Sequence, residues 1–200
     1  MKKILKLGIV GGGPGSWIGN IHRIASRIDG KYKICAGSFS RNPKISNSFG
    51  ASLNLDKNRC YSNYKTMADN EFKRSDGIEI VAIMTPPGSH QEIAEYFIKK
   101  NFHIISDKPF ASTYPQAKKL YSTIKKNKKI VYGLTHNYSA YPMVRMAKKL
   151  VKDGKIGNVE FVNVEYVQDW SKGIIVNKKN SKKIFRWKLD KKIVGSSAVL

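Results

Sequence analysis

Cysteine is scarce: two cysteines in 200 residues cannot frame a disulfide scaffold. Cys35 lies in an apolar run and Cys60 in a polar one, with no Cys-x-x-Cys pair and no histidine at metal-ligand spacing beside either. Both read as packing thiols, and no metal site is expected. Long apolar runs are missing too. The longest, over residues 78–84 and interrupted by Glu79, is strand-length and far below the ~20 residues that span a bilayer. Met1-Lys2-Lys3 before apolar residues has the look of a secretory leader. The stretch nevertheless ends at Val10 in a glycine run, with no small-residue cleavage site behind it. A first strand and a cytoplasmic protein with no membrane partner are the expectation. Acid is in short supply as well, 14 Asp and Glu against 37 Lys and Arg, which leaves a formal net charge of +23. A dense basic face would suit nucleic acid, because it releases counterions from phosphate. These lysines are instead spread along the whole chain, without an aromatic-interleaved patch. A solvated, lysine-rich surface is the better reading, and nucleic acid is not an expected partner. A nucleic-acid-binding protein stays the weakest alternative, resting on charge alone.

Apolar residues, by contrast, make up 41% of the chain, enough to bury a core, and they recur in a regular order. Strands are expected at 5–10, 32–39, 78–84, 102–106 and 130–134; 78–84, apolar apart from Glu79, has the pattern of a strand buried on both faces. Helices are expected through Ile18, Ile21, Ile24, Ala25 and Ile28, and over 62–74, 89–100 (Ser89 as N-cap) and 114–127. Strands alternating with helices of this length build βαβ units, hence an α/β fold with a doubly wound parallel sheet. After His136 the character changes. A helix over 141–153 has Pro142 in its first turn and stops at Gly154. Residues 159–168 then partly alternate, Val162, Val164 and Tyr166 against Asn163 and Glu165, like a strand with one covered face. The chain therefore divides into a first domain, residues 1–136, and the incomplete start of an α+β domain, residues 137–200. One strand cannot stand alone, and the chain stops inside Gly195-Ser196-Ser197-Ala198-Val199-Leu200, so the second part is expected to be truncated. The lysine-rich stretch 177–183 reads as a loop.

Gly11-Gly12-Gly13-Pro14-Gly15-Ser16-Trp17-Ile18-Gly19 follows the first strand and opens the first helix. Backbone amides and the positive end of a helix converge at such a place, and a dinucleotide pyrophosphate sits there. Gly11 would make the tight turn, Gly13 would let the backbone approach the phosphates, and Gly19 would let helix and strand pack closely. Gly11-x-Gly13 is regular, but the third glycine comes three residues late, so the loop is enlarged. A cofactor site is expected over Gly11, Gly13, Pro14, Gly15, Ser16, Trp17 and Ile18; a glycine-rich turn without ligand is the bland alternative. The end of the second strand chooses the cofactor. NAD sites place an Asp or Glu there for the ribose 2′-hydroxyl, whereas Gly37-Ser38-Phe39-Ser40-Arg41-Asn42 carries no acid. Ser40 and Arg41 could hold a 2′-phosphate, so the expected cofactor is NAD(P), leaning to NADP.

Thr85-Pro86-Pro87-Gly88-Ser89-His90 and Ser106-Asp107-Lys108-Pro109-Phe110 follow the third and fourth strands. The glycine loop runs on to His22. Gly133-Leu134-Thr135-His136-Asn137-Tyr138 follows, and Gly154-Lys155-Ile156-Gly157 precedes 159–168. In this order the motifs resemble the Gfo/Idh/MocA oxidoreductases, the glucose–fructose oxidoreductase and inositol dehydrogenase group, over essentially the whole chain. The resemblance implies a Rossmann domain, then a substrate and oligomerisation domain, and hydride transfer between a nicotinamide and a hydroxyl-bearing carbon of a sugar or cyclitol. It implies that Lys108 is the catalytic residue, its ammonium turned to the substrate hydroxyl and the nicotinamide edge, where it stabilises a developing alkoxide and helps move its proton. Thr85, Pro86 and His90 would shape the nicotinamide side, Asp107 and Lys108 would border it, and Asn137 would lie near ring and substrate. For His90 a structural place at a helix start is an equal alternative, and His22 is read as structural. Asp107 stands where the family has Glu, one methylene shorter. Pro109 would fix the turn, a cis bond being one way. The family's acid/base histidine belongs to a Gly-Asp-x-x-x-His segment, expected past residue 200, so the chain is expected to lack the full catalytic set. Asp169 and Trp170 either face the pocket or pack. The full-length protein is expected to be a homo-oligomer. A nicotinamide-binding module without catalysis, a sensor or scaffold, is the rival reading.

Overall fold

The most apolar stretch of the chain becomes the centre of the fold. In the computed structural model, which describes residues 3–167 together with 190 and 194, Ile80–Met84 is buried along its whole length. Successive residues of a strand point to opposite faces, so Ile80, Ala82 and Met84 join one core and Val81 and Ile83 the other. The elements in chain order are β1 (Leu5–Gly11), α1 (Trp17–Ile28), β2 (Tyr32–Ser38), α2 (Pro43–Ser52), α3 (Tyr64–Lys73), β3 (Ile80–Met84), α4 (His90–Ile98), β4 (His103–Asp107), α5 (Tyr114–Lys126), β5 (Tyr132–Thr135) and α6 (Pro142–Lys152). The five strands form one sheet in the order β2-β1-β3-β4-β5, and every neighbouring pair is parallel. This is the doubly wound α/β sheet that the alternation of strand and helix implies.

Helices cover both faces. Met67 of α3, Ile93 and Phe97 of α4 and Leu120 of α5 pack with Val81, Ile83 and Ile104. Ile18 of α1 and Phe49 of α2 pack with Leu7, Ile9, Phe39 and Ala82 on the other side. Phe97 is fully buried with its ring 5.5 Å from Phe102; truncating a residue so placed costs about 3–5 kcal/mol. The entry to β3 is braced by Glu71. Its buried carboxylate accepts from Arg59 Nε at 3.0 Å, Tyr61 OH at 3.0 Å and the Ile78 amide at 3.1 Å, and also pairs with Arg59 Nη2.

Several expectations change in detail. Helix α2 is absent from the sequence reading, although Asn42 caps it on the Lys44 amide at 3.0 Å and Pro43 opens it. Ser89 sits at the start of α4 without capping it; its hydroxyl lies 2.8 Å from both Thr85 Oγ1 and the Pro86 carbonyl. Ile21, Ile24 and Ile28 line up on α1 but stay exposed among the described residues. The stop of α6 is as expected: Gly154 takes a left-handed φ of +66°. Its amide reaches Val151 O at 3.1 Å and that of Lys155 reaches Leu150 O at 2.9 Å, a doubly bonded helix end. The long strand over 159–168 does not form across 159–167, which carry no regular structure and leave Val162, Val164 and Tyr166 exposed. A strand needs a paired neighbour, and no described strand lies beside this one. Gln168, Asp169, Trp170, 177–183 and 195–200 lie outside the described residues. No described helix is long and apolar enough to cross a membrane.

Candidate functional site

Parallel strands deliver the turns that follow them to one edge of the sheet. Gly11 pairs with Met84, Ile83 with Ser106, Asp107 with Thr135, and Val10 with Ser38. The glycine loop, Phe39–Asn42, the Thr85 turn, the Lys108 turn and Asn137 are therefore all carried on that carboxyl edge. Their crevice lies at β1, where the chain leaves for β2 on one side and returns to β3 on the other, the usual ligand position of an open α/β sheet.

The glycine loop is tightly built behind and open in front. A Cβ on Gly13 would lie 2.5 Å from the Phe39 carbonyl, and one on Gly19 would lie 2.3 Å from the Gly12 carbonyl. Gly13 thus serves the crossing of the loop over the end of β2, a tighter demand than approach to a ligand, and Gly19 seats α1 against the loop. Gly15 differs: its φ is +72° and a Cβ there would meet nothing within 4 Å. Pro14 and Gly15 are exposed, and Trp17 is 76% exposed at the start of α1. Ser16 caps that helix, its Oγ accepting from the Gly19 amide at 3.1 Å. The amides of Trp17 and Ile18 stay without an intrahelical acceptor, as first-turn amides do, and lie at the positive end of the helix.

Arg23 escaped the sequence reading. Its Nη1 donates to the Gly12 carbonyl at 2.7 Å while its guanidinium lies 5.0 Å from the centre of the Phe49 ring. Phe49 stands edge-on to Phe39 at 5.1 Å, so one chain of contacts ties α1, the glycine loop and the end of β2 together. Partial burial, then the like charge of Arg27, lowers the Arg23 pKa. Nothing local marked it: Arg23 lies mid-helix on α1, and its partner, the Gly12 carbonyl, is in the preceding loop. Beyond Phe39, Ser40 Oγ accepts from the Asn42 amide at 3.1 Å, which leaves its proton free. Arg41 is exposed and forms no ion pair among the described residues.

On the other side of the crevice, His90 is 1% exposed. Its Nδ1 lies 2.9 Å from the Pro109 carbonyl and its Nε2 lies 2.7 Å from the Thr85 carbonyl. Both ring nitrogens are occupied by protein, so His90 acts from behind the crevice wall, by tying the Thr85 turn to the Lys108 turn. Thr85 and the exposed Pro86 stand in front of it. The Lys108–Pro109 bond is cis. Lys108 itself is exposed and forms no ion pair among the described residues. Asp107 points back into the protein, accepting from Thr135 Oγ1 at 2.9 Å with His22 Nε2 at 3.9 Å. Burial pushes its pKa up, but the contacts from His22, Thr135 and the Lys108 amide outweigh this and hold it below the usual carboxylate value. Asn137 follows β5, exposed, its Nδ2 donating to Tyr141 OH at 3.2 Å. Among the described residues no group of three or more His, Cys, Asp or Glu is placed to hold a metal, and both cysteines are free thiols.

Residues 5–135, which contain every element of this crevice except Asn137, match the family described as "Oxidoreductase family, NAD-binding Rossmann fold" (GFO_IDH_MocA). The chain belongs to the Gfo/Idh/MocA family. The oxidoreductase YfiI of Bacillus subtilis is 34% identical over 201 residues, covering 100% of this chain and 50% of the relative. Levoglucosan dehydrogenase of Pseudarthrobacter phenanthrenivorans is 35% identical over 122 residues, 61% of this chain and 29% of that protein. An inositol dehydrogenase homolog from Azotobacter vinelandii, solved as a complex with NAD+, superposes with a TM-score of 0.89 at 30% identity. That match covers 96% of this chain and 49% of the neighbour. The Gfo/Idh/MocA chain described here thus spans half the length of these relatives or less, and its family is one of NAD-binding oxidoreductases.

Proposed function

We propose that this chain binds NADP in preference to NAD on the carboxyl edge of its sheet, and that in the full-length protein it serves hydride transfer at a hydroxyl-bearing carbon of a sugar or cyclitol. The observation that carries the reading is Lys108, exposed and without an ion pair among the described residues, on the same edge as the open glycine loop. In this reading residues 1–136 hold the cofactor and 137–200 begin the substrate part. The site suits a dinucleotide on its own geometry: Gly15 is open to solvent in a backbone conformation that leaves room for a phosphate, and the Trp17 and Ile18 amides are available beside it. Gly11, Gly13, Pro14, Gly15, Ser16, Trp17 and Ile18 would hold the pyrophosphate, with Gly12 kept in place by Arg23. Ser40 and Arg41 would hold a 2′-phosphate, bidentately in the case of the guanidinium. Thr85, Pro86, Asp107 and Asn137 would border the ring, with His90 behind them.

When bound, the nicotinamide gives or takes the hydride. Lys108 supports the oxygen of the reacting C–O bond: a cation set there before reaction lowers the cost of charge that develops as the hydroxyl proton leaves, and its ammonium can share that proton. Lys108 is the residue cast as catalytic. The names of the levoglucosan and inositol relatives favour a polyhydroxylated ring as substrate, and association of full-length copies belongs to the same reading. The test of the cofactor choice is fluorescence titration of NADPH and NADH on the wild type and on Arg41→Ala. Loss of one charge-assisted contact should weaken NADPH by about 1.5–3 kcal/mol and leave NADH nearly unchanged. Equal losses would show that Arg41 does not read the 2′-phosphate, and no binding of either cofactor by folded protein would end the proposal.

A further inference from the structure

Asp107 precedes Lys108 directly, yet its carboxylate is turned away from that ammonium. One of its oxygens is held on the inner side, where Thr135 Oγ1 donates to Oδ1 at 2.9 Å and His22 Nε2 faces the same oxygen at 3.9 Å. The His22 and Asp107 side chains are only 12% and 16% exposed, so the contact is half-shielded from water. The wall around them is apolar. Leu7, Ile9, Ala82 and Ile105 line a cavity of about 190 Å³ whose polar lining includes His22 and Thr135. An imidazole in such a wall is costly unless it has a partner, and Asp107 is the acid within its reach.

We propose that His22 is a positioning residue for Lys108: with Thr135 it holds the Asp107 carboxylate on the inner side, so that the neighbouring ammonium stays free for the substrate. The inference rests on the reading of Lys108 given above and deepens it. Without His22 the carboxylate keeps the Lys108 backbone amide and one side-chain partner, the Thr135 hydroxyl, which has the Ser106 carbonyl at 3.2 Å as an alternative acceptor. The released carboxylate then pairs with Lys108, the cation next to it in the chain. An ammonium beside an anion keeps its proton more tightly and is drawn off the reacting oxygen. His22 also stands on α1, the helix whose first amides face the glycine loop, so the same element seats the cofactor and sets the lysine.

The test uses the full-length protein and two independent readouts. Competitive acetylation at pH 8 (on the order of mild alkaline conditions), read by peptide mass spectrometry, measures the reactivity of Lys108 without turnover. His22→Ala should lower it at least about threefold, Asp107→Asn should raise it, and the double variant should follow Asp107→Asn, since an opposite charge within reach favours the charged amine. In steady state, His22→Ala should lower kcat about tenfold with cofactor Kd unchanged within about twofold, the pattern of a lost transition-state interaction. His22→Gln, which keeps a donor near the same position, should recover most of both. Unchanged Lys108 reactivity in His22→Ala, with only a lower Tm, would overturn the proposal and leave His22 a packing residue. Lys108→Met, measured alongside, separates the two ideas. Normal turnover of that variant rejects Lys108 as the catalytic cation, whereas the labelling result still decides whether His22 governs its surroundings.

Discussion

Gly19→Ala puts a methyl group where only backbone can be displaced. The added Cβ would lie 2.3 Å from the Gly12 carbonyl oxygen, 2.6 Å from its Cα and 2.7 Å from its carbonyl carbon. No flexible side chain can yield, so α1 must withdraw from the loop. Alanine is the better helix former by about 1 kcal/mol, and on an open helix the variant would be more stable. Here overpacking costs about 1–3 kcal/mol, and withdrawal also strains the Ser16 cap on the Gly19 amide, worth about 1 kcal/mol. Steric cost outweighs propensity, and the net effect is destabilisation by about 1–3 kcal/mol. The larger effect falls on the cofactor, because the Trp17 and Ile18 amides retreat with the helix. Losing one charge-assisted hydrogen bond weakens binding at least about tenfold. Urea unfolding and NADPH fluorescence titration on the same samples give both numbers. A variant that gains stability and binds NADPH normally would refute the reasoning, since α1 would then not be seated by Gly19.

Glu71→Ala should do the reverse: stability falls by about 3–5 kcal/mol in urea unfolding because Arg59 loses a buried partner, while the remaining folded protein binds cofactor as before, the brace lying at the opposite end of β3. Lys108→Met should lower turnover of the full-length enzyme by about a hundredfold to a thousandfold with cofactor Kd little changed, and Lys108→Arg should rescue poorly, because a guanidinium neither fits the ammonium's place nor gives up its proton; near-normal steady-state rates would return Lys108 to the surface. Burial raises the pKa of Cys35, and burial followed by Asp56 raises that of Cys60, so each is less ionised at a given pH than an open thiol. Ellman's reagent at neutral pH should react slowly with the native protein and promptly in urea; fast native reaction would contradict the described burial.

What the sequence revealed and what it hid follow from how far each signal reaches. The wholly apolar β3 and the glycine run after β1 are local signals strong enough to mark the sheet and one lip of the crevice. Helix α2 was missed because its apolar pattern is thin, although Asn42-Pro43 has the form of a cap followed by proline at the first position. The roles of His90 and Arg23 could not be read locally. Each depends on a carbonyl distant in the chain, Pro109 for one and Gly12 for the other, and only the folded sheet brings those atoms within reach. Residues 159–167 erred the opposite way: alternation is a local signal, but pairing is not, and no described strand stands beside them. Asp107 was placed by its motif at the nicotinamide border; its contacts with Thr135 and His22 turn it inward, which no spacing announces.

His90 gives the crevice two walls of unequal stiffness. One buried ring touching a carbonyl from each of two turns makes the β3 and β4 side a single rigid jaw, in which Thr85 and Lys108 keep their separation whatever binds between them. The facing jaw is the glycine loop, exposed at Pro14 and Gly15 and held mainly from behind by Arg23. Adjustment to an incoming ligand therefore falls on the loop alone. The distance between the Thr85 turn and the lysine is a built-in gauge, set before any ligand arrives, while the glycine loop does the yielding.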